Sequence, residues 1–533
     1  MVKKHMTFKV FLIIFFAYIL FSKNTYATNE TFEYTNEKNN EKIITDSVVS
    51  VFEYPKLDFT DIDKCNIFYS KLNPIVLGID SKSRFSLNEY MALEVDNQKS
   101  TQECWAFSIF NSMETNLFIK KQIKIDFSER HMDYSTSNSI SGNDVEMKYS
   151  RPASTGAVTE VGMAYLTNGQ GAVLEKEMKF ENNMNNVKYS DLNIKPSYYV
   201  SDYIQFPNIL KTYDSDGNVK YYNSYGKEYD ECEIGYIRNQ IKRYILENGA
   251  LVSVMPSKYT KGYNNTDDVT KATAFCCKDL TQNRDHAITI VGWDDNYSRE
   301  NFNEANRPKS NGAYIVLQSY GEHFFEKGYI YISYEDCLIE SSIYGICNSD
   351  KYDYDNLYQN DFYGADGTMH LKDCQVGYLS TYFTRDKSKT ESLTKVSVNI
   401  PQRASIEVWV NPNSDDISEK NLIKISDKSE ILEPGYHTID VEKTKLTGEK
   451  FAIVIKQISE NGDFYFNVEY CNSNTLFYKN VSSEPGRNKV SIDGKVWEAL
   501  EEQGKDTKSE KNLLTADLCI KAFTCEETNE NKK

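Results

Sequence analysis

The chain of 533 residues has no surplus of basic charge: 61 Lys and Arg stand against 78 Asp and Glu, a formal net charge of −17. Nucleic-acid binders need clustered Lys and Arg to displace counterions from phosphates, so that class is excluded, and the acidic balance serves solubility. After residue 21 there is no second hydrophobic run long enough to cross a bilayer. There is also no internal repeat, no zinc-spaced Cys/His set, no phosphate-binding glycine loop and no dinucleotide fingerprint. Histidine is scarce, with six in the whole chain. A histidine placed beside a candidate nucleophile is therefore informative.

Aromatic residues are abundant, 13% of the chain with 39 Tyr, too many for a disordered protein. The length exceeds what one core holds and predicts two folded units with appendages. Lys3, Lys4 and His5 precede an apolar run over 8–21, too short for a comfortable membrane span, and small residues follow. This pattern predicts a signal peptide over 1–27 cut after Ala27, with an uncleaved anchor as the alternative, and a secreted or cell-surface protein. Eleven cysteines leave at least one thiol unpaired. Strain disfavours a bond between the adjacent Cys276 and Cys277.

The stretch 28–84 is polar, its Asn-Glu-Lys runs giving way to a Pro-containing stretch around Pro55 and Pro74, and reads as a linker or as a pro-segment removed near residues 80–90. From Gln98 onward Cys104, Phe107, Ser108, Asn111, Met113, Phe118 and Ile119 recur near helical spacing without Pro or Gly, which predicts a helix opening at Cys104. A second helix is expected over 237–247, ended by Asn248-Gly249, followed by strands at 251–255, 287–293, 313–317 and 329–334. Beyond residue 350 the pattern starts afresh as short strands. Ile406, Val408 and Val410 alternate onto one face, as do Phe464, Phe466, Val468 and Tyr470. With 436–441, 450–456 and 516–523 these compose a β-sandwich over 350–525, expected to fold independently, ahead of a polar, disordered tail at 526–533.

Cys104 opens Cys-Trp-Ala-Phe-Ser six residues after Gln98. A thiol at a helix N-terminus meets unpaired N–H groups and the positive end of the helix dipole, which favour its thiolate. By itself the position favours an unreactive core cysteine, because buried unreactive Cys is common. The second half of a nucleophilic pair is Asp285-His286, set directly before an apolar strand, with His323 as the nearest competitor.

These blocks, with 312–321 (GAYIVLQSYG) and 328–334 (GYIYISY), resemble the three catalytic blocks of the papain family of cysteine peptidases. Residues 126–129, 164–166, 171–175 and 237–255 extend the resemblance over about 90–345. It is nearest to exported papain-type peptidases of anaerobic Gram-positive bacteria that carry a lectin-like β-sandwich. Residues 355–523, with PGYHTIDV and ADLCIKAFT, resemble that module. The resemblance implies an α+β fold: a papain-like catalytic domain over 85–345, with a helical lobe and a β-barrel lobe, then the all-β sandwich. It implies a Cys104–His286 thiolate-imidazolium pair that attacks a peptide carbonyl to give an acyl-enzyme, with no metal or organic cofactor. Gln98 and the Cys104 N–H would hold the oxyanion, Gln318 would orient His286, and Thr155, Gly156 and Asp285 would line the substrate site. The implied partners are protein or peptide substrates, and cell-wall glycan or a surface protein for the sandwich.

The chain departs from the family at several of these positions. Gln318 stands where Asn is usual and Tyr320 where Trp is usual, while Lys99 and Gln102 replace glycines in a turn where positive φ is expected. Thr101 replaces a disulfide-forming cysteine, consistent with the absence of cysteine from 105 to 231. Cys104 and His286 are 182 residues apart, against roughly 130–150 in the family. The excess is assigned to surface loops within 181–232. An alternative reading is therefore a papain-like scaffold with weakened catalysis that acts as a surface or glycan binder.

Overall fold

The computed structural model describes residues 82–140, 149–180, 187–224, 226–257, 263–371, 374–460, 462–470, 478, 483–500 and 516–527, with the backbone of two strands at 31–36 and 41–46. The expected signal peptide, most of the 28–84 stretch and the tail beyond 527 lie outside the described residues. No helix among the described residues is long and apolar enough to cross a membrane.

Among the described residues of the first half of the chain there are four α-helices: α1 (Cys104–Lys121), α2 (Glu129–Ser135), α3 (Thr159–Thr167) and α4 (Glu231–Asn248). In α1 nearly every residue of the first three turns is buried, so it is a central helix with no solvent face. Lys120 and Lys121 in its last turn complement the negative end of the dipole. Helix α4 starts well before the expected 237, because Asp230 and Glu233 form a reciprocal capping box. Gly249 ends it at φ 116, where a Cβ would sit 2.7 Å from Thr115 Oγ1.

The strands of this half are β1 (Thr31–Asn36), β2 (Glu41–Asp46), β3 (Arg84–Ser86), β4 (Tyr198–Gln205), β5 (Leu210–Tyr213), β6 (Val219–Tyr222) and β7 (Glu228–Tyr229). They continue as β8 (Leu251–Met255), β9 (Ala274–Phe275), β10 (His286–Asp294), β11 (Ala313–Leu317), β12 (Tyr329–Ser333) and β13 (Tyr344–Lys351). The second half is all β: β14 (Asn356–Gln359), β15 (Gly367–Leu371), β16 (Val376–Thr384), β17 (Glu391–Ile400), β18 (Ala404–Asn411), β19 (Ile423–Lys424) and β20 (Gly435–Lys445). It closes with β21 (Lys450–Ser459), β22 (Phe464–Tyr470), β23 (Lys489–Ser491), β24 (Glu498–Ala499), β25 (Ala516–Leu518) and β26 (Ile520–Glu526).

Three cores follow from this order. Trp105, Phe110, Met113, Phe127 and Tyr165 fill the helical lobe. Ile288, Ile290, Trp293, Tyr314, Val316 and Ile332 fill the strand-rich lobe. In the sandwich Ile406, Val408 and Val410 face Phe464, Phe466 and Val468, the inward sets expected from alternation. The two lobes are locked where Ser108 of α1 donates to the Ile288 carbonyl of β10 at 2.7 Å and Ser112 donates to Ala250 O at 2.7 Å.

The 181–232 stretch does not consist of surface loops. It supplies β4 and the three-stranded sheet β5–β6–β7. Strand β4 is interior, with Tyr199 and Val200 essentially inaccessible, because its aromatic run is covered from both sides. It also joins the halves of the molecule. One 12-stranded sheet runs β14-β26-β17-β20-β4-β13-β8-β10-β11-β12-β9, with β3 as its twelfth strand pairing off this path to β10, and with β20 pairing antiparallel to β4 through Gly435↔Ile204, Tyr436↔Tyr203 and His437↔Asp202. The sandwich thus shares its hydrogen-bond ladder with the first half, which bears on the expectation of independent folding.

Candidate active site

The site lies where the N-terminus of α1 meets the starts of β10 and the end of β11. Cys104, the first residue of α1, is buried, and its Sγ accepts a hydrogen bond from the Ala287 N–H at 3.4 Å. His286 opens β10 and directly precedes Ala287, the donor of that bond. Its Nε2 lies 2.7 Å from Gln318 Oε1, the residue directly after β11. An amide oxygen only accepts, so Nε2 carries the proton and Nδ1 is the ring's basic atom. Gln318 is itself fixed by donating from Nε2 to Met255 Sδ at 3.1 Å. The extra methylene relative to Asn is absorbed without losing contact with the imidazole.

Tyr320 stacks on the His286 ring, with centroids 5.0 Å apart and planes at 18°, and its hydroxyl lies 3.5 Å from Nδ1. The Tyr320 ring therefore lies flat against one face of the imidazole. Gln98 is oriented at both ends: Ser319 Oγ donates to its Oε1 at 2.6 Å, and its Nε2 donates to Thr101 O at 2.7 Å. One amide hydrogen of Gln98 remains for another acceptor. On the far flank, the Thr155 carbonyl accepts from Trp105 Nε1 at 3.4 Å and from Arg151 at 3.2 Å, and the Gly156 N–H donates to Gln102 Oε1 at 3.3 Å. Asp285 is exposed and turned to the loop backbone, accepting from the Ser257 N–H at 2.7 Å.

The structure thus brings Cys104 to the start of β10 through Ala287, ties His286 to Gln318 and Gln98 to the adjacent Ser319, sets Thr155 and Gly156 on the flank of α1, and points Asp285 elsewhere. Burial pushes the Cys104 thiol up to about 11, partly countered by the Ala287 and Trp105 N–H groups. Burial also lowers the His286 imidazole, against the hydrogen bond of Gln318 and the charge of Asp285. Each group taken singly thus favours its neutral form in the closed cleft. An ion pair arises only by transfer of the thiol proton to Nδ1, which creates two charges that compensate each other.

Two departures in the 99–102 turn behave differently. Lys99 does take positive φ, 58°, with its ammonium 5.5 Å over the Phe180 ring. Gln102 does not, since it is not among the described non-glycine residues with positive φ. Four participants were missed from sequence. Ser319 sits inside the Gln-Ser-Tyr block and its position next to Gln318 was the available signal. Asp133 and Arg151 form a buried ion pair behind Thr155, and nothing in their spacing marks it. Glu103 is buried beside the nucleophile, its carboxyl pushed up to about 9 by burial and by Asp133. No group of three or more His, Cys, Asp or Glu among the described residues is placed to hold a metal ion, and the nine described cysteines are all free thiols.

The family model for papain family cysteine protease matches residues 80–347, and that for a lectin-like domain matches 357–524. No curated protein matches the chain. Among solved structures, the cysteine protease and lectin-like domains of Cwp84, a surface layer associated protein of Clostridium difficile, superpose with a TM-score of 0.66 at 22% identity, covering 84% of this chain and 89% of that one. A cysteine-to-alanine variant of clostridial Cwp84 after propeptide cleavage gives 0.65 at 22% identity, covering 84% and 100%. These likenesses establish the shared α+β architecture, a papain-like domain followed by a lectin-like all-β domain. This chain belongs to the papain family of cysteine proteases.

Proposed function

We propose that the protein is an exported cysteine endopeptidase of the cell surface or its surroundings, with Cys104 as nucleophile and His286 as its base. The observation that carries this reading is the 2.7 Å bond from His286 to Gln318 beside a cysteine at the first position of α1. Proton transfer from Sγ to Nδ1 gives the thiolate, which adds to the scissile carbonyl carbon. The oxygen takes the electron pair and is held by the Cys104 N–H and the remaining amide hydrogen of Gln98, the latter worth about 3 kcal/mol. The C–N bond then breaks as the imidazolium protonates the leaving amine. The neutral imidazole next deprotonates a water that adds to the thioester, and the thiolate leaves.

Catalytic residues over 85–345 would act with Thr155 and Gly156 on the substrate backbone, while the 350–525 module holds cell-wall glycan or a surface protein. Residues 28–84 would be the removable pro-segment. The surface-layer association of the structurally similar Cwp84 supports the location. The contact between Gln318 and His286 counts against a disabled scaffold, since the substitution that suggested it leaves the imidazole tethered. A thiol-reactive peptidyl epoxide should label Cys104, and Cys104→Ala should abolish both labelling and casein hydrolysis. Hydrolysis that survives Cys104→Ala would refute the assignment.

A further inference from the structure

The segment 154–156 is held from behind and offers one donor to the cleft. Ser154, at φ 61, gives its N–H to Asp133 Oδ2 at 2.7 Å, and Asp133 is paired with Arg151. Arg151 also holds the Pro152 carbonyl at 2.9 Å and the Thr155 carbonyl at 3.2 Å. The Gly156 N–H therefore projects from a fixed turn. Among the described residues its partner is the side chain of Gln102, at 3.3 Å. A Cβ built on Gly156 would meet just one heavy atom within 4 Å, the same Gln102 Oε1 at 4.0 Å. Space beside the Gly156 Cα is open, and the carboxamide of Gln102 is what meets the N–H.

Gln102 is anchored to the same segment by its own backbone, N–H to Ser154 O at 3.2 Å, two residues before the nucleophile. Its side chain is exposed and flexible, so it can leave without disturbing the core. We propose that Gln102 is a specificity-determining gate: its carboxamide oxygen imitates a substrate backbone carbonyl on the Gly156 N–H, and an incoming extended peptide must displace it. The step is an exchange of one N–H···O bond for another, with no covalent change. Peptides that repay the displacement elsewhere in the cleft are selected over those that contact Gly156 alone. The proposal rests on reading Gly156 as a substrate-backbone donor.

Removing the gate should tighten ground-state binding without touching the chemistry. With fluorescein-labelled casein, Gln102→Ala should lower KM by roughly 3- to 10-fold, the range of one neutral hydrogen bond, with kcat within about twofold. Gln102→Glu keeps the acceptor and adds charge, so at neutral pH it should raise KM over wild type, an increase that vanishes as the carboxylate is protonated. The opposite signs of the two variants separate gating from a loosened turn. The same affinity difference should appear by fluorescence anisotropy when Cys104→Ala and Cys104→Ala/Gln102→Ala bind the casein probe. If wild type hydrolyses nothing while this difference persists, the peptidase reading fails and the gate stands. If hydrolysis is normal and KM is unchanged or raised in Gln102→Ala, the gate is wrong. No difference in either readout also overturns it.

Discussion

Gln318 shows how a single methylene is accommodated at the imidazole. An Asn at this position would need its backbone closer to His286, whereas Gln reaches it from the end of β11 and uses its amide nitrogen to grip Met255. The consequence is twofold. Gln318→Ala leaves the ring free to swing, and such orienting partners are typically worth ~10- to 100-fold in rate. It also removes the bond that raises the imidazole pKa, while burial continues to lower it. The imidazolium then loses its proton at lower pH, so the alkaline limb of kcat/KM, a property of the coupled Cys–His pair, should move down. An unshifted limb with an unchanged rate would show that Gln318 does not orient His286. Gln318→Asn should gain nothing over wild type and lose up to about severalfold, less than Gln318→Ala, because the shorter amide reaches the ring only if the end of β11 moves toward it.

Element by element, what the sequence disclosed depended on how local the cause was. The helix at Cys104 and the inward faces of β18 and β22 were legible because their periodicity is carried by neighbouring residues. Strand β4 was not. Its run of tyrosines sits in a polar, Asn- and Asp-rich stretch, and only its pairing with β13 and β20 makes it a buried strand. The site followed the same rule: Cys104, His286 and Gln98 were marked by motif, while Asp133 and Arg151 matter only through tertiary contact. A further tertiary feature is Glu340, which is fully buried and takes bonds from Arg238 at 2.7 and 2.9 Å, Lys211 at 2.7 Å and Tyr314 at 2.7 Å. Although burial opposes it, Arg238 and Lys211 hold the Glu340 carboxyl down to about 2, from 4.5. A depressed carboxyl stabilises the fold fully above its unfolded value and loses that contribution as pH falls from about 4.5 through 2. Glu340→Gln strands two buried cations and should cost about 3–5 kcal/mol at neutral pH. Melting curves should show a gap between wild type and variant that narrows below pH 4.5; a gap constant to pH 2 would contradict the assignment.

At the scale of the whole molecule, the continuous sheet makes a claim about cooperativity. Tyr436 of β20 stacks on Tyr203 of β4 with centroids 5.7 Å apart, Asn399 donates to the Tyr203 hydroxyl at 2.9 Å, and Lys395 donates to the Tyr199 hydroxyl at 3.0 Å. Tyr199 in turn packs beside Tyr354 and Phe523 of the second half. A fragment of residues 350–525 would lose β4, leaving the β20 ladder groups unpaired and these aromatic faces in water. An unpaired, apolar strand edge both destabilises a sheet and invites association. A loss of ~3 kcal/mol moves the Tm of a module this size by roughly 6–12 °C. The full-length chain should therefore unfold in one calorimetric transition, and the fragment should melt lower by that margin and tend to self-associate. The junction can be probed in the intact chain at Gly435, whose φ of 144° and lack of a side chain let it lie against β4; a Cβ there would sit 2.0 Å from the Tyr203 carbonyl. Gly435→Val should force β20 from β4 and split the single transition into two. A full-length protein that already melts in two steps, with the upper or lower one matching the isolated fragment, would show that the shared sheet carries no coupling between the halves.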